Sequence, residues 1–188
     1  MSAATPTLHA TTVLLVRKSG RVCMASDGQV TLGQSTVIKS GAKKVRRTGK
    51  GEVLVGFAGG GADGLTLFTR LESKLEEFSG NLERSVVELA KDWRTDRSMR
   101  RLDAVILVAD RRQTFFLAGN GELLQPDEEE DEGVLAVGSG ANFALAAARA
   151  LLRHTEMSAP EVATEAMNIA ADICVFTNHR LTIEELAQ

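Results

Sequence analysis

At 188 residues the chain is long enough for one domain with a sizeable core that needs no disulfide staples. Its 44% apolar and 25% charged residues are ordinary for a soluble globular protein, and a net charge of −3 gives no global pull towards nucleic acid. No apolar run approaches the roughly 18 residues of a membrane span, and Cys23 and Cys174 lie too far apart to form a ligand-spaced pair, so free buried thiols in a cytosolic protein are expected.

Residues 1–10 mix small and polar residues with one proline and show no apolar period. They lack the basic start and long apolar segment of a secretory signal, and they lack the arginine of a mitochondrial presequence. They read as a removable extension ahead of a single domain over 11–188. Residues 11–18 and 21–27 are two short β runs joined at Ser19-Gly20, which predicts a hairpin. Residues 28–33 read as a loop, followed by a strand-like segment holding Lys43-Lys44-Val45-Arg46-Arg47, a turn at 48–51, and a strand from Glu52 to Ala58.

Leu65, Phe68, Leu71, Leu75 and Phe78 recur at helical steps and predict one buried face, with Glu72, Lys74 and Glu76 towards solvent and Gly80 as the stop. A second helix carries Leu82, Val86, Leu89, Ala90 and Trp93 on one face and runs into the basic stretch 94–101. Strands resume at 104–109 and 114–117, Gly119-Asn120-Gly121 is a hairpin turn, and Asp127–Glu132 is an acidic, solvated loop. A strand over 134–137 ends at Gly138-Ser139-Gly140, and an alanine-rich helix follows from Ala141 to about His154. Ser158, Pro160 and Glu161 carry the signature of a capped helix start; that helix runs to about Ile173, and Cys174–Thr177 reads as a short β run. Helix pairs alternating with hairpins suggest two stacked sheets with helical layers outside.

Thr11-Thr12, opening the first apolar run, has two readings. The pair suits a threonine-rich strand start. Cut between Ala10 and Thr11, it instead places a hydroxyl and a free α-amine on one residue, a nucleophile carrying its own base. Such a nucleophile needs a tuned amine and donors for an oxyanion. In a hairpin about Ser19-Gly20, residues 11–13 face residues 26–28, so Asp27 is either a turn aspartate or a neighbour of Thr11. Lys43 and Lys44 point to opposite faces of a strand, so at most one can approach the nucleophile. A buried lysine there would depress the amine's pKa and need Asp27 as counter-ion. Gly56 is a glycine near a strand end, either flexible backbone or an N–H open to an oxyanion. Ser139 is either a helix cap or a second hydroxyl at the site. No Lys-Ser/Thr follows the glycines at 59–61, so a phosphate-binding loop is not predicted. His9, His154 and His179 have neither metal nor triad spacing, and 127–132 lacks the alternation of a calcium loop.

Together these segments resemble the HslV (ClpQ) family of proteasome-like peptidases, which are N-terminal nucleophile hydrolases. The resemblance is carried by Thr11-Thr12-Val13, the run Asp27 to Gly33, Lys43 to Arg47, Gly56 to Gly60, Glu88 to Arg97, Gly119 to Gly121, Gly138 to Gly140, Asp172 to His179 and Thr182 to Leu186. It implies an α+β, four-layer αββα sandwich and a threonine endopeptidase acting on unfolded proteins. It implies Thr11 as nucleophile, Asp27 and Lys44 as the groups that tune its amine, Gly56 as oxyanion donor and Ser139 as supporting serine. It also implies a monovalent-cation site, with sodium the expected ion, made from backbone carbonyls of Ala171, Cys174 and Thr177, with alanine at 171 where the family carries glycine. The loop between Gly33 and Lys43 is one residue longer than the family pattern, which leaves the choice between Lys43 and Lys44 open. The implied assembly is two stacked homohexameric rings working with a separate HslU-like ATP-dependent unfoldase ring that stimulates them, in the cytoplasm, with no nucleotide bound by this subunit. Two other readings stand beside it: a small-amide hydrolase of the same fold, and an unprocessed, non-catalytic ring subunit.

Overall fold

The computed structural model describes residues 8–33, 35–119, 121–126 and 132–187; most of the extension, Asn120 and most of the acidic loop lie outside it. In chain order the strands are β1 (Leu8–Ala10), β2 (Thr12–Lys18), β3 (Arg21–Ser26), β4 (Val30–Leu32), β5 (Thr36–Lys39), β6 (Val45–Thr48) and β7 (Val53–Gly59). After helices α1 (Gly61–Glu77) and α2 (Leu82–Thr95) come β8 (Ala104–Ala109), β9 (Thr114–Ala118), β10 (Leu123–Leu124) and β11 (Gly133–Gly138). Helices α3 (Ala141–His154) and α4 (Ala159–Ile173) precede the final strand, β12 (Thr182–Leu186).

Two antiparallel sheets stack face to face. One has the order β11-β2-β3-β12 and the other β10-β9-β8-β7-β6. Strand alternation sends successive side chains to opposite faces and so builds three apolar layers. Val13, Leu15, Met24, Leu54 and Leu107 fill the space between the sheets. Leu14, Val16 and Cys23 pack outward on the alanine-rich faces of α3 and α4. Val55, Phe57 and Ile106 pack outward on Leu67, Leu71, Leu89 and Trp93 of α1 and α2. The architecture is the αββα sandwich expected from the element order.

The β2–β3 hairpin turns at Ser19 and Gly20, whose φ angles of 50° and 72° suit a tight two-residue turn. Its register places Val13 opposite Ser26, so Asp27 follows directly beside Thr12. A third, small sheet has the order β1-β4-β5, and Ala10 pairs with Val30 at the approach to Thr11. Residues 28–33 are therefore not all loop, because Val30–Leu32 pairs with β1 on one side and with the following strand β5 on the other, and runs this short do not announce a strand.

Two further expectations are corrected. Leu65 is 46% exposed while Leu67 is fully buried. Gly64 takes the buried place because the Phe57 ring lies against it, leaving no room for a Cβ. Cys174–Thr177 is not a strand. The Cys174 N–H closes α4 on the Ala170 carbonyl (2.8 Å) and the Thr177 N–H returns to the Cys174 carbonyl (3.0 Å), so this backbone forms a helix end and a turn. The strand that pairs with β3 is β12, from Thr182 opposite Ser26 to Leu186 opposite Val22. Cys23 and Cys174 are both free and buried, and among the described residues no helix is long and apolar enough to cross a membrane.

Candidate active site

Thr11 joins β1 to β2 at the edge where both large sheets end. It is 1% exposed and lines a cavity of about 510 Å3 together with Lys44, Phe57, Gly59 and Leu65. Its φ is +105°, a region that β-branched residues rarely occupy. The Thr11 carbonyl accepts the Ser139 N–H (2.9 Å). Gly138, at φ +98°, has to be glycine because a Cβ there would run into that same carbonyl. Ser139 thus reaches Thr11 through its backbone, and its side chain is exposed.

Beneath Thr11 lies a buried ion pair. Lys44 is 3% exposed and Asp27 fully buried. The Lys44 ammonium donates to Asp27 Oδ1 (3.1 Å) and to the Gln29 carbonyl (2.6 Å). Asp27 Oδ1 also accepts the Thr12 N–H (2.8 Å), and Oδ2 accepts the N–H groups of Gln29 (2.7 Å) and Asn178 (3.4 Å). A carboxylate holding several donors is one arrangement that keeps a buried charge tolerable. Burial pushes the Lys44 ammonium below its ordinary value, and the attraction of Asp27 opposes that shift. Lys43 also lines the cavity but is exposed, so Lys44 is the lysine buried against Asp27.

The two glycines of β7 part company here. The Phe57 N–H bonds to the Lys44 carbonyl (3.2 Å), towards β6, and the Gly60 N–H bonds to the Asp103 carbonyl (2.8 Å), towards β8. Strand alternation then turns the Gly56 N–H to β8, opposite Leu107. A Cβ on Gly56 would sit 2.6 Å from Val13 Cγ1 and 2.7 Å from Met24 Sδ. Gly56 is therefore glycine because the other sheet approaches it, and the structure does not bring its N–H to the cavity. The same alternation turns the Gly59 N–H to the β6 side, past the end of β6 at Val45 and into the cavity wall.

Sequence reasoning missed Gln29 and Asn178. The Gln29 side chain donates to the Val175 carbonyl (2.8 Å), and Asn178 Oδ1 accepts the Gly28 N–H (3.2 Å). Together they tie the turn after α4 to the loop carrying Asp27. Both lie in runs that carry the family resemblance, but no spacing rule singled either of them out.

Among the described residues no three His, Cys, Asp or Glu side chains gather as a metal site. The carbonyls of Ala171, Cys174 and Thr177 lie at the end of α4 and in the turn beyond it. The last carbonyls of a helix lack intrahelical partners and carry the negative end of its dipole. The Cys174 carbonyl already accepts the Thr177 N–H and keeps one lone pair, and carbonyl oxygen is the donor chemistry that a hard cation takes.

The chain matches the proteasome subunit family over residues 7–186. It is 58% identical over 179 residues to the "ATP-dependent protease subunit HslV" of Syntrophobacter fumaroxidans, covering 95% of this chain and 97% of that protein. The crystal structure of the eukaryotic HslV of Trypanosoma brucei superposes with a TM-score of 0.87 at 45% identity, over 94% of this chain and 99% of that one. The Thiobacillus denitrificans protein BPH, at 20% identity and a TM-score of 0.71 over 93% and 97% of the two chains, shares the fold. A two-sheet sandwich with a buried threonine, lysine and aspartate at its edge, and relatives matched along nearly their whole length, place this chain in the proteasome family as a homologue of the HslV peptidase subunits.

Proposed function

We propose that this chain is the proteolytic subunit of a two-component ATP-dependent protease, a threonine endopeptidase that cuts unfolded proteins. The observation that carries this reading is the Lys44–Asp27 pair buried beneath Thr11 at the cavity wall. Cutting the Ala10–Thr11 bond frees the Thr11 α-amine. That amine takes the Thr11 hydroxyl proton as the oxygen attacks the scissile carbonyl. The Lys44 charge keeps the amine neutral by repulsion, and Asp27 keeps Lys44 in place. The Gly59 N–H, turned to the cavity, receives the oxyanion of the tetrahedral intermediate in the role the sequence suggested for Gly56. Collapse expels the leaving amine with the proton and leaves an ester on Thr11. Water, deprotonated by the same α-amine, then hydrolyses that ester. Ser139 supports the site by holding the Thr11 carbonyl.

The carbonyls of Ala171, Cys174 and Thr177 would hold a monovalent cation such as sodium, which would stiffen the turn carrying Thr177 and Asn178. The partner expected from the HslV relatives is an HslU-like ATPase ring, with the subunits in two stacked homohexamers in the cytoplasm. The test joins intact-mass measurement to peptide kinetics. We expect the mass of residues 11–188, hydrolysis of a fluorogenic peptide, and ATP-dependent degradation of a folded protein when the unfoldase is added. Thr11→Ala should lose all peptide hydrolysis and still assemble. Normal turnover by Thr11→Ala would overturn the assignment. Cleavage of small amides without motor-driven proteolysis would favour the amidase reading, and a purified chain retaining the extension through Ala10 the non-catalytic one.

A further inference from the structure

Thr12 has no part in the chemistry above, yet each of its polar atoms is engaged in the frame around Thr11. It is fully buried. Its N–H donates to Asp27 Oδ1 (2.8 Å) and its carbonyl accepts the Asp27 N–H (3.2 Å). Its hydroxyl oxygen accepts the Gly140 N–H (2.8 Å) and lies 2.7 Å from the Thr177 hydroxyl, which is also buried. Gly140 leaves room for this meeting, since a Cβ there would stand 2.5 Å from Thr12 Oγ1 and 2.6 Å from Thr177 Oγ1. Three distant parts of the chain (the start of β2, the start of α3 and the turn after α4) are joined at one buried hydroxyl.

We propose that Thr12 is a positioning residue, whose hydroxyl fixes the orientation in which Thr11 faces the cavity. This rests on Thr11 being the nucleophile. Once the Ala10–Thr11 bond is cut, nothing upstream holds Thr11. Its placement then depends on its own carbonyl, held by Ser139, and on the residue after it. A hydroxyl has one proton and two lone pairs. The Gly140 N–H takes one lone pair, and the proton or the second pair serves Thr177. Valine has the same shape but sets a methyl against the Gly140 N–H and leaves that buried donor without a partner. Displacements near 1 Å at a reacting centre cost on the order of a hundredfold in rate.

The test compares full-length wild type, Thr12→Val, Thr12→Ser, Thr177→Val and the double variant Thr12→Val/Thr177→Val. It measures intact mass, thermal melting, and kcat and KM on a fluorogenic peptide, counted per processed chain. We expect Thr12→Val to lower kcat by about tenfold or more with KM held within about twofold, and Thr12→Ser to recover most of that loss. Failure of Thr12→Val to be cut at Ala10–Thr11, restored in Thr12→Ser, supports the proposal equally. The double variant should lose no more than Thr12→Val alone, because both changes break one junction. Wild-type kcat in Thr12→Val, or equal losses in Thr12→Val and Thr12→Ser, overturns the proposal. If Thr12→Val does not fold, Thr177→Val decides: a several-fold loss of kcat supports the junction and an unchanged kcat overturns it. A wild-type chain that hydrolyses no peptide would instead remove the reading of Thr11 itself.

Discussion

Lys44 is a buried ammonium at the cavity wall, and its stability depends on a carboxylate that the hairpin register delivers. Asp27→Asn leaves that charge facing a neutral amide; losing one partner of a buried pair costs about 3–5 kcal/mol. Urea unfolding should show a loss of that size, together with loss of peptide hydrolysis. The lowered pKa of Lys44 also has a definite sign in the folding equilibrium. Between its folded value and the ordinary 10.5, the unfolded chain binds the extra proton, so stability rises with pH across that window. Below the window both states hold the proton and the desolvation cost is complete. Lys44→Met should remove this contribution, at most about 1.4 kcal/mol per pH unit, from the slope of unfolding free energy against pH. Sequence alternation put Lys43 and Lys44 on opposite faces without saying which face is buried. That choice belongs to the Gln29 carbonyl and Asp27, which only the folded chain brings to Lys44. Gly56 shows the same limit from another side. A glycine in a strand announces a close approach, but what approaches is the opposite sheet.

At the scale of elements, the long periodic segments were legible. Both helix pairs, the β2–β3 hairpin and the Ser158–Glu161 start of α4 stand where spacing and capping residues put them. What escaped were elements defined by partners: β4 and β5, three and four residues long, β12 with its two charged residues, and the turn after α4. Within α1 the helical period was right, but one position was displaced by the Phe57 ring on Gly64. Leu67→Ala should therefore cost about 2–5 kcal/mol, whereas Leu65→Ala should stay within about 0.5 kcal/mol in the same denaturant titration. Gly56→Ala separates packing from catalysis. Its methyl crowds Val13 and Met24, so a loss of about 1–3 kcal/mol is expected, with peptide turnover per folded chain retained. Turnover lost without any loss of stability would return Gly56 to the reacting centre.

For the whole molecule, the order of strands and helix pairs was enough to read two stacked sheets between helical layers, because each amphipathic element has one face to bury. The site could not be read in the same way, since it forms where β2, β4, β6, β7 and the turns after β11 and α4 converge. The core offers a probe of global integrity. Burial raises the Cys23 thiol to about 12, so iodoacetamide at pH 8 should leave it unmodified until denaturant opens the sandwich. Modification in the native state would mean that the layer between β3 and α4 opens on its own. The positive φ of Thr11 has a consequence at this scale too. That angle is measured through the carbonyl carbon of Ala10, so it exists only while the two residues are joined. Holding a threonine there costs on the order of 1–3 kcal/mol. The proposed cut at Ala10–Thr11 would remove that cost, so the strain held at Thr11 would favour the processed chain, whose freed terminus gains rotational choices that the uncut chain lacks.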